Sequence, residues 1–169
     1  MPVEEHRFKA RELEVNFCII ITSDSIFKGV KKDKISPKAR ELIRNSFKLK
    51  NVLVIPNDPN ELRGKLKEFL SKGVCDAIIV TGGTGISKRD ISVDVIKEFC
   101  DKELPGYGEL FRYLTFMEHG TAAIASRAMA CTSGNSIIFT TPGSPDAFTL
   151  AVKKLILPEI KHLIYELRR

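Results

Sequence analysis

Three short runs of nearly unbroken apolar, β-branched sequence constrain this chain most: Val15–Thr22 (VNFCIIIT), Asp76–Thr81 (DAIIVT) and Ser136–Thr140 (SIIFT). A strand with one wet face alternates apolar and polar residues, so a run without alternation must be covered on both faces. Segments of helical periodicity lie between these runs. Ser36–Lys48 places Ala39, Leu42, Ile43 and Phe47 on one face, with Ser36 as the cap and Pro37 at the first helical position. Asn51–Ile55 reads as a further strand. Asn60–Lys72 reads as a helix with Leu62, Leu66, Phe69 and Leu70 inward and Gly73 at its end. Ser92–Cys100 is expected to be helical. Leu104–Gly108 is expected to be a loop before a helix over Glu109–Phe116, and Thr121–Ala130 fits helix or strand equally. Ser133–Asn135 is a turn signal, and a helix from about Ala147 is kinked at Pro158. Strands alternating with helices imply βαβ crossovers. The expected fold is α/β, a three-layer sandwich with a mostly parallel central sheet and helices on both faces.

With 169 residues, 43% of them hydrophobic and 28% charged, the chain suits one ordered domain, 15–169, after a polar N-terminal arm, 1–14. No apolar run approaches the roughly 20 residues of a membrane helix, and the first residues are too charged for a secretory signal. A cytoplasmic location is expected, with no membrane partner. Lys plus Arg exceeds Asp plus Glu by 27 to 21, a modest +6 that suits an anionic small molecule, and no nucleic-acid partner is expected. The four cysteines are far apart with no C-x-x-C pair, which argues against zinc and against a redox dithiol. Cys18, inside an apolar run, reads as a small buried hydrophobe. Gln is absent and charge is abundant, a thermophile tendency; a hyperthermophile source would leave an intracellular disulfide open.

In parallel sheets ligands bind beyond the carboxyl ends of the strands. Three unusual loops, Thr22–Gly29, Gly82–Asp90 and Pro142–Asp146, each follow such an end and should converge. Gly82, Gly83, Thr84 and Gly85 let backbone amides approach an anion closely, although neither the P-loop nor the Rossmann pattern is present. Asp90 follows beside Lys88 and Arg89, where a carboxylate near phosphate can hold Mg²⁺. Ser23, Asp24 and Ser25 add hydroxyls and a carboxylate, Asp24 also being suited to capping a turn. Pro142, Gly143, Ser144 and Pro145 form a stiff ledge. Six basic residues over Lys28–Arg40 read as a solvated face or as a lip that draws in anions. His6, His119 and His162 show no metal-ligand spacing.

These residues together resemble the molybdenum-cofactor biosynthesis proteins of the MoaB/MogA type, related to the G domain of gephyrin. The resemblance runs from about Val15 to Leu163. It rests on Ser23-Asp24-Ser25, Ile55-Pro56-Asn57-Asp58, Thr81–Asp94 (TGGTGISKRDISVD), Pro105–Glu109, Ser126-Arg127 and Pro142–Pro145, with Gly106–Gly120 closer to the MoaB branch. It implies a protein that binds molybdopterin and Mg·ATP. In the implied reaction the pterin phosphate attacks the α-phosphorus of ATP, giving adenylyl-molybdopterin and releasing pyrophosphate. It further implies that Asp90 is catalytic and metal-binding. Ser23, Gly82, Gly83, Thr84, Gly85 and Pro142–Pro145 (Pro142, Gly143, Ser144, Pro145) would hold the nucleotide, with Glu109, Thr115 and Ser126 on the pterin side. Where the family often carries Pro-Asp-Asp or Pro-Asp-Glu, this chain has Pro56-Asn57-Asp58. Asp58 is then expected to stand in as the second catalytic, metal-facing carboxylate. The alternative is a non-catalytic molybdopterin-binding or scaffold protein; CinA-type and MoeA-type domains fit the glycine turn less well. A homotrimer or homohexamer is implied, with Leu110–Met117 as candidate contacts and a downstream molybdate-insertion protein as partner.

Overall fold

The structure, a computed structural model, describes residues 2–169; Met1 of the expected arm lies outside them. Its sheet has six strands: β1 (Asn16–Thr22), β2 (Lys48–Ile55), β3 (Ala77–Thr81), β4 (Lys102–Glu103), β5 (Ala130–Ser133) and β6 (Ser136–Thr141), in the order β2-β1-β3-β6-β5-β4. The first four in that order are parallel, while β5 and β4 add an antiparallel edge. In β1, Ile19 lies opposite Val52 on one side and Ile79 on the other. The chain leaves β1 for β2 and returns to β3 on the far side, so the order reverses between β1 and β3. A crevice opens at their carboxyl ends.

The unbroken apolar runs are covered on both faces, as their composition requires. Phe17, Ile19, Ile21, Ala77, Ile79, Ile137 and Phe139 point to one layer. There they meet α3 (Ile35–Ile43), α6 (Pro105–His119), α7 (Pro145–Ala151) and α8 (Leu157–Arg168). Cys18, Ile20, Ile78, Val80 and Ile138 point the other way, onto α4 (Pro59–Lys72) and α5 (Ser92–Lys97). At the opposite end of the sheet, buried Asp76 accepts from Asn16 N at 2.7 Å and pairs with Arg168, which fastens α8 to the amino ends of β1 and β3.

Several boundaries move from the sequence-based expectation. Asp33, not Ser36, caps α3, its Oδ1 accepting from Ile35 N and Ser36 N at 2.8 and 2.9 Å. That helix stops at Ile43, and β2 begins at Lys48, because its first residues pair with β1 at the sheet edge where polar side chains are tolerated. Leu104–Gly108 is not a loop throughout. Pro105 starts α6, since a missing N–H is harmless in a first turn. Thr121–Ala130 is neither a full helix nor a full strand: a tight 3₁₀ turn over Gly120–Ala125 precedes β5. The distortion expected at Pro158 appears as a widened turn over Val152–Ile156, just ahead of the proline ring. Residues Pro2–Lys9 are helical (α1) and pack on α8, so the arm is a docked element.

The cysteines also depart from expectation. Cys18 is buried as anticipated, but it is bonded to Cys75, and Cys100 is bonded to Cys131. Strand pairing brings each pair together, with Cα atoms 5.7 and 5.5 Å apart, across 57 and 31 residues of chain. The Cys18–Cys75 bond joins β1 to the entry of β3. Replacing both by alanine should cost about 2–4 kcal/mol, mainly by freeing the unfolded chain. Denaturant unfolding of the oxidised parent and the double variant measures this; equal midpoints would show that the cross-link adds no stability.

Candidate functional site

The three loops after β1, β3 and β6 do converge. Gly82 N donates to Thr141 O at 2.9 Å, and Thr81 Oγ1 donates to Pro142 O at 3.0 Å. Gly143 lies against Gly82 closely enough that a Cβ there would stand 3.3 Å from the Gly82 Cα. Gly82 itself has φ +98°, and a Cβ on it would sit 2.5 Å from Thr22 O. Only glycine lets β3 end in this turn so near β1. Gly83, at φ +65°, faces Ser92 Oγ and Asn57 Oδ1.

Around this turn lies an open cavity of about 430 Å³ lined by Thr22, Ser23, Asp24, Lys28, Asn57, Gly83, Arg89 and Asp90. A second hollow of about 510 Å³ adjoins it at Asp90, walled by Arg63, Ile86, Lys88 and Arg127. Asp90 is therefore shared between the two. Its Oδ2 accepts from Ser87 Oγ at 2.7 Å and Ser87 N at 2.8 Å. Those bonds, the hydroxyl first, hold its carboxyl below the usual range against a smaller opposing effect of burial. Asp24 accepts from Asn57 N at 2.9 Å and Arg89 Nη2 at 3.0 Å, and both lower its pKa, the amide more. Two ionised carboxylates thus border one cavity. Arg127 supports the loop from behind: it donates to Gly85 O, Asp90 O and both oxygens of Asp94 at 2.8–3.0 Å.

The sequence-expected residues divide into groups. Ser23, Gly83 and Asp90 line the cavity, with Gly82, Thr84 and Gly85 in the turn beside it. Ser23 caps the short helix α2 (Asp24–Phe27), and Ser144 caps α7 by accepting from Ala147 N at 3.2 Å. Pro142 and Gly143 are the residues that touch the glycine turn, and Pro145 opens α7. Asp58 turns away: its Oδ1 accepts from Asn60 N at 2.8 Å and Glu61 N at 3.0 Å as the cap of α4, and its neighbour Asn57 lines the cavity instead. Thr115 bonds back to Phe111 O in its own helix, and Ser126 Oγ accepts from Ala128 N. Glu109 lies apart from them, in a polar hollow of about 270 Å³ with Lys97, Glu103, Arg112 and Arg127. Of the Lys28–Arg40 bases, Lys28 alone lines the main cavity. Sequence reasoning placed the Asp24 carboxylate at the end of β1 but, reading it also as a turn cap, did not count it among the site residues; it undervalued Arg127 as well, whose contacts lie 33 to 42 residues away in the chain. It also missed that His162 and Glu166, one turn apart, meet His6 from α1.

Ser87→Ala should raise the Asp90 pKa toward the ordinary aspartate range, followed by carboxyl-carbon NMR titration. A lowered carboxyl pKa adds stability above the unfolded-state value and loses it as pH falls through the folded-state value, so the variant should be less acid-resistant. An unmoved Asp90 midpoint would remove Ser87 as its anchor. Gly82→Ala should cost roughly 1–3 kcal/mol through its strained φ and its clash with Thr22 O, measured by thermal unfolding; an unchanged melting temperature would show that the turn can relax.

Residues 18–162 match the family described as "probable molybdopterin binding domain". The molybdenum cofactor biosynthesis protein B of Staphylococcus carnosus is 37% identical over 173 residues, covering 100% of each chain. The protein of the same name from Bacillus cereus is 35% identical over 171 residues, covering 100% of this chain and 99% of the other. Among solved structures, the tungsten cofactor synthesizing protein MoaB from Pyrococcus furiosus superposes with a TM-score of 0.85 at 32% identity, over 92% of this chain and 98% of that one. A MogA structure at 23% identity, TM-score 0.81, over 90% and 99%, shares the fold. On the family match over residues 18–162 and the identity along whole chains, the chain belongs to the MoaB/MogA family of molybdenum cofactor biosynthesis proteins.

Proposed function

We propose that the chain is a molybdopterin adenylyltransferase, joining the phosphate of molybdopterin to AMP from ATP with release of pyrophosphate. The observation that supports this most is the meeting of an amide-rich glycine turn with two ionised carboxylates, Asp24 and Asp90, in one cavity open to solvent. Transfer of a nucleotidyl group asks for positioning and charge neutralisation more than for a protein nucleophile. The glycine turn would receive phosphate oxygens at backbone amides, the Pro142–Pro145 ledge would hold the nucleotide, and Lys28 and Arg89 would neutralise charge at the rim.

The donor set fits Mg²⁺. Besides the two carboxylates, Asn57 Oδ1 is buried without a hydrogen-bond partner beside Gly83, an oxygen left over for a hard cation. Asp24, Asp90 and Asn57 would hold the ion, which when bound supplies charge neutralisation at the triphosphate. Asp58, engaged at the head of α4, fits that role less well than Asp24. The exposed apolar stripe of Leu110, Tyr113, Phe116 and Met117 on α6 suits the contact of a homotrimer or homohexamer. The product would pass to a molybdate-insertion protein.

The test is purified protein with Mg·ATP and molybdopterin, scored by adenylylated pterin and pyrophosphate. Turnover is expected, and Asp90→Ala should lower it on the order of 10²–10³. Asp24→Ala should fall similarly, whereas Asp58→Ala should lose about 1 kcal/mol of stability from the missing cap and keep most activity. A parent that binds molybdopterin without transferring AMP is the scaffold reading; Asn57→Asp would then be the variant to restore transfer, because a carboxylate holds a cation by full charge and an amide only by its dipole.

A further inference from the structure

We propose that His6, His162 and Glu166 form a zinc-class metal site that ties the first helix of the chain to the last, remote from the glycine turn and independent of the function proposed above. His162 and Glu166 are four residues apart and share one face of α8, and α1 lays His6 beside them. One ligand atom from each of the three residues falls in a set whose members all lie within 4.8 Å of one another. Both histidines are largely covered, with side chains 19% and 16% exposed. His6 Nδ1 contacts Glu166 Oε1, and His162 Nε2 stands 3.8 Å from the same oxygen. A tetrahedral ion with bonds of about 2.1 Å separates its ligands by about 3.4 Å. The first pair must open by about 1 Å, and the second must close by a few tenths of an ångström.

Two further observations point to a ligand. Glu166 Oε1 is shielded from solvent yet makes no well-directed hydrogen bond, although two imidazole nitrogens face it. In the metal-free protein its nearest partner is the proton on His6 Nδ1, and a cation would take that proton's place. Behind His162, Glu159 Oε1 sits 2.5 Å from Nδ1, and Arg7 holds the other oxygen of that carboxylate, Oε2, at 2.7 Å. A carboxylate on Nδ1 puts the ring proton there and presents Nε2 as a free donor toward the cluster, the arrangement that supports metal-binding histidines. Two imidazoles and one carboxylate favour zinc over magnesium or calcium, which prefer oxygen throughout. The fourth position is left to water.

Arg169 competes. Its Nη1 lies 3.2 Å from His6 Nε2, which in the metal-free protein places the ring proton on Nδ1. Metal at Nδ1 moves that proton to Nε2, and Arg169 keeps its other contact, to Glu166 Oε2 at 3.4 Å.

Equilibrium dialysis of the full chain against Zn²⁺, with metal analysis and thermal unfolding, tests the proposal. The parent should hold one zinc per chain that Asp90→Ala retains. It should gain about 5 °C or more in melting temperature at zinc a hundredfold above its Kd. His6→Ala and His162→Ala should each lose that zinc and that gain. Glu159→Gln should weaken binding about 10- to 100-fold. His6 lies on a short peripheral helix, so its variant tests the site even where His162→Ala folds poorly. A parent that takes up no stoichiometric zinc overturns the proposal. So does a His6→Ala protein that binds zinc as the parent does, or zinc that disappears with Asp90→Ala.

Discussion

The candidate site depends on the side-by-side pairing of β1 and β3. These strands are neighbours in space but lie more than fifty residues apart in the chain, with β2 and three helices between them. Their pairing sets Thr22 against Gly82 and leaves no room for a side chain there, so the backbone of the glycine turn comes directly onto the end of β1. Once that approach is made, β6 pairing with β3 carries the Pro142 ledge to the same place. Each loop is ordinary alone. The crevice exists because strand order reverses between β1 and β3, which turns three separate strand ends into one rim.

Charge at the rim is organised by hydrogen bonds more than by burial. Asp90 is held by Ser87 and Asp24 by the Asn57 amide and Arg89, and neither is deeply enclosed. Both therefore stay ionised, as the proposed role at a metal ion would require. Arg127 stiffens the segment between Gly85 and Asp94 by grasping two carbonyls and a carboxylate at once. A guanidinium can do this because its donors form a planar fork. Its place in the chain, just before β5, makes the position of Asp90 depend on the antiparallel edge of the sheet as well as on the parallel core.

The ends of the molecule carry a second layer of organisation. Arg168 reaches buried Asp76 at the foot of the sheet, α1 rests on α8 through Arg7 and His6, and Lys161 of α8 donates to Arg11 O just beyond α1. The two disulfides work on the side of the sheet that α4 and α5 cover: one lies where β3 begins, and the other joins the segment just after α5 to β5, next to the edge strand. Stabilising contacts are thus concentrated away from the rim, where the glycine turn needs an unusual backbone and open space. That separation lets a strained turn persist in a stable sheet.

Much of this was legible in the residue order. Unbroken β-branched runs demand cover on two faces, so VNFCIIIT, DAIIVT and SIIFT announced a parallel sheet before any coordinates were known. Glycine and proline after the second and third runs, and hydroxyl and carboxylate residues after the first, marked the loops that converge, and Asp90 could be singled out from its distance to the glycines. Side-chain direction was not legible. Asn57 and Asp58 are adjacent and chemically alike in sequence, but only the start of α4 decides that Asp58 is consumed as a cap while Asn57 faces the cavity. Arg127, the cysteine pairs and the cluster of His6 with His162 and Glu166 are contacts across 31 to 160 residues. Local sequence encodes periodicity and turn preference, whereas which distant groups meet is set by strand register and helix docking, and those belong to the tertiary structure alone.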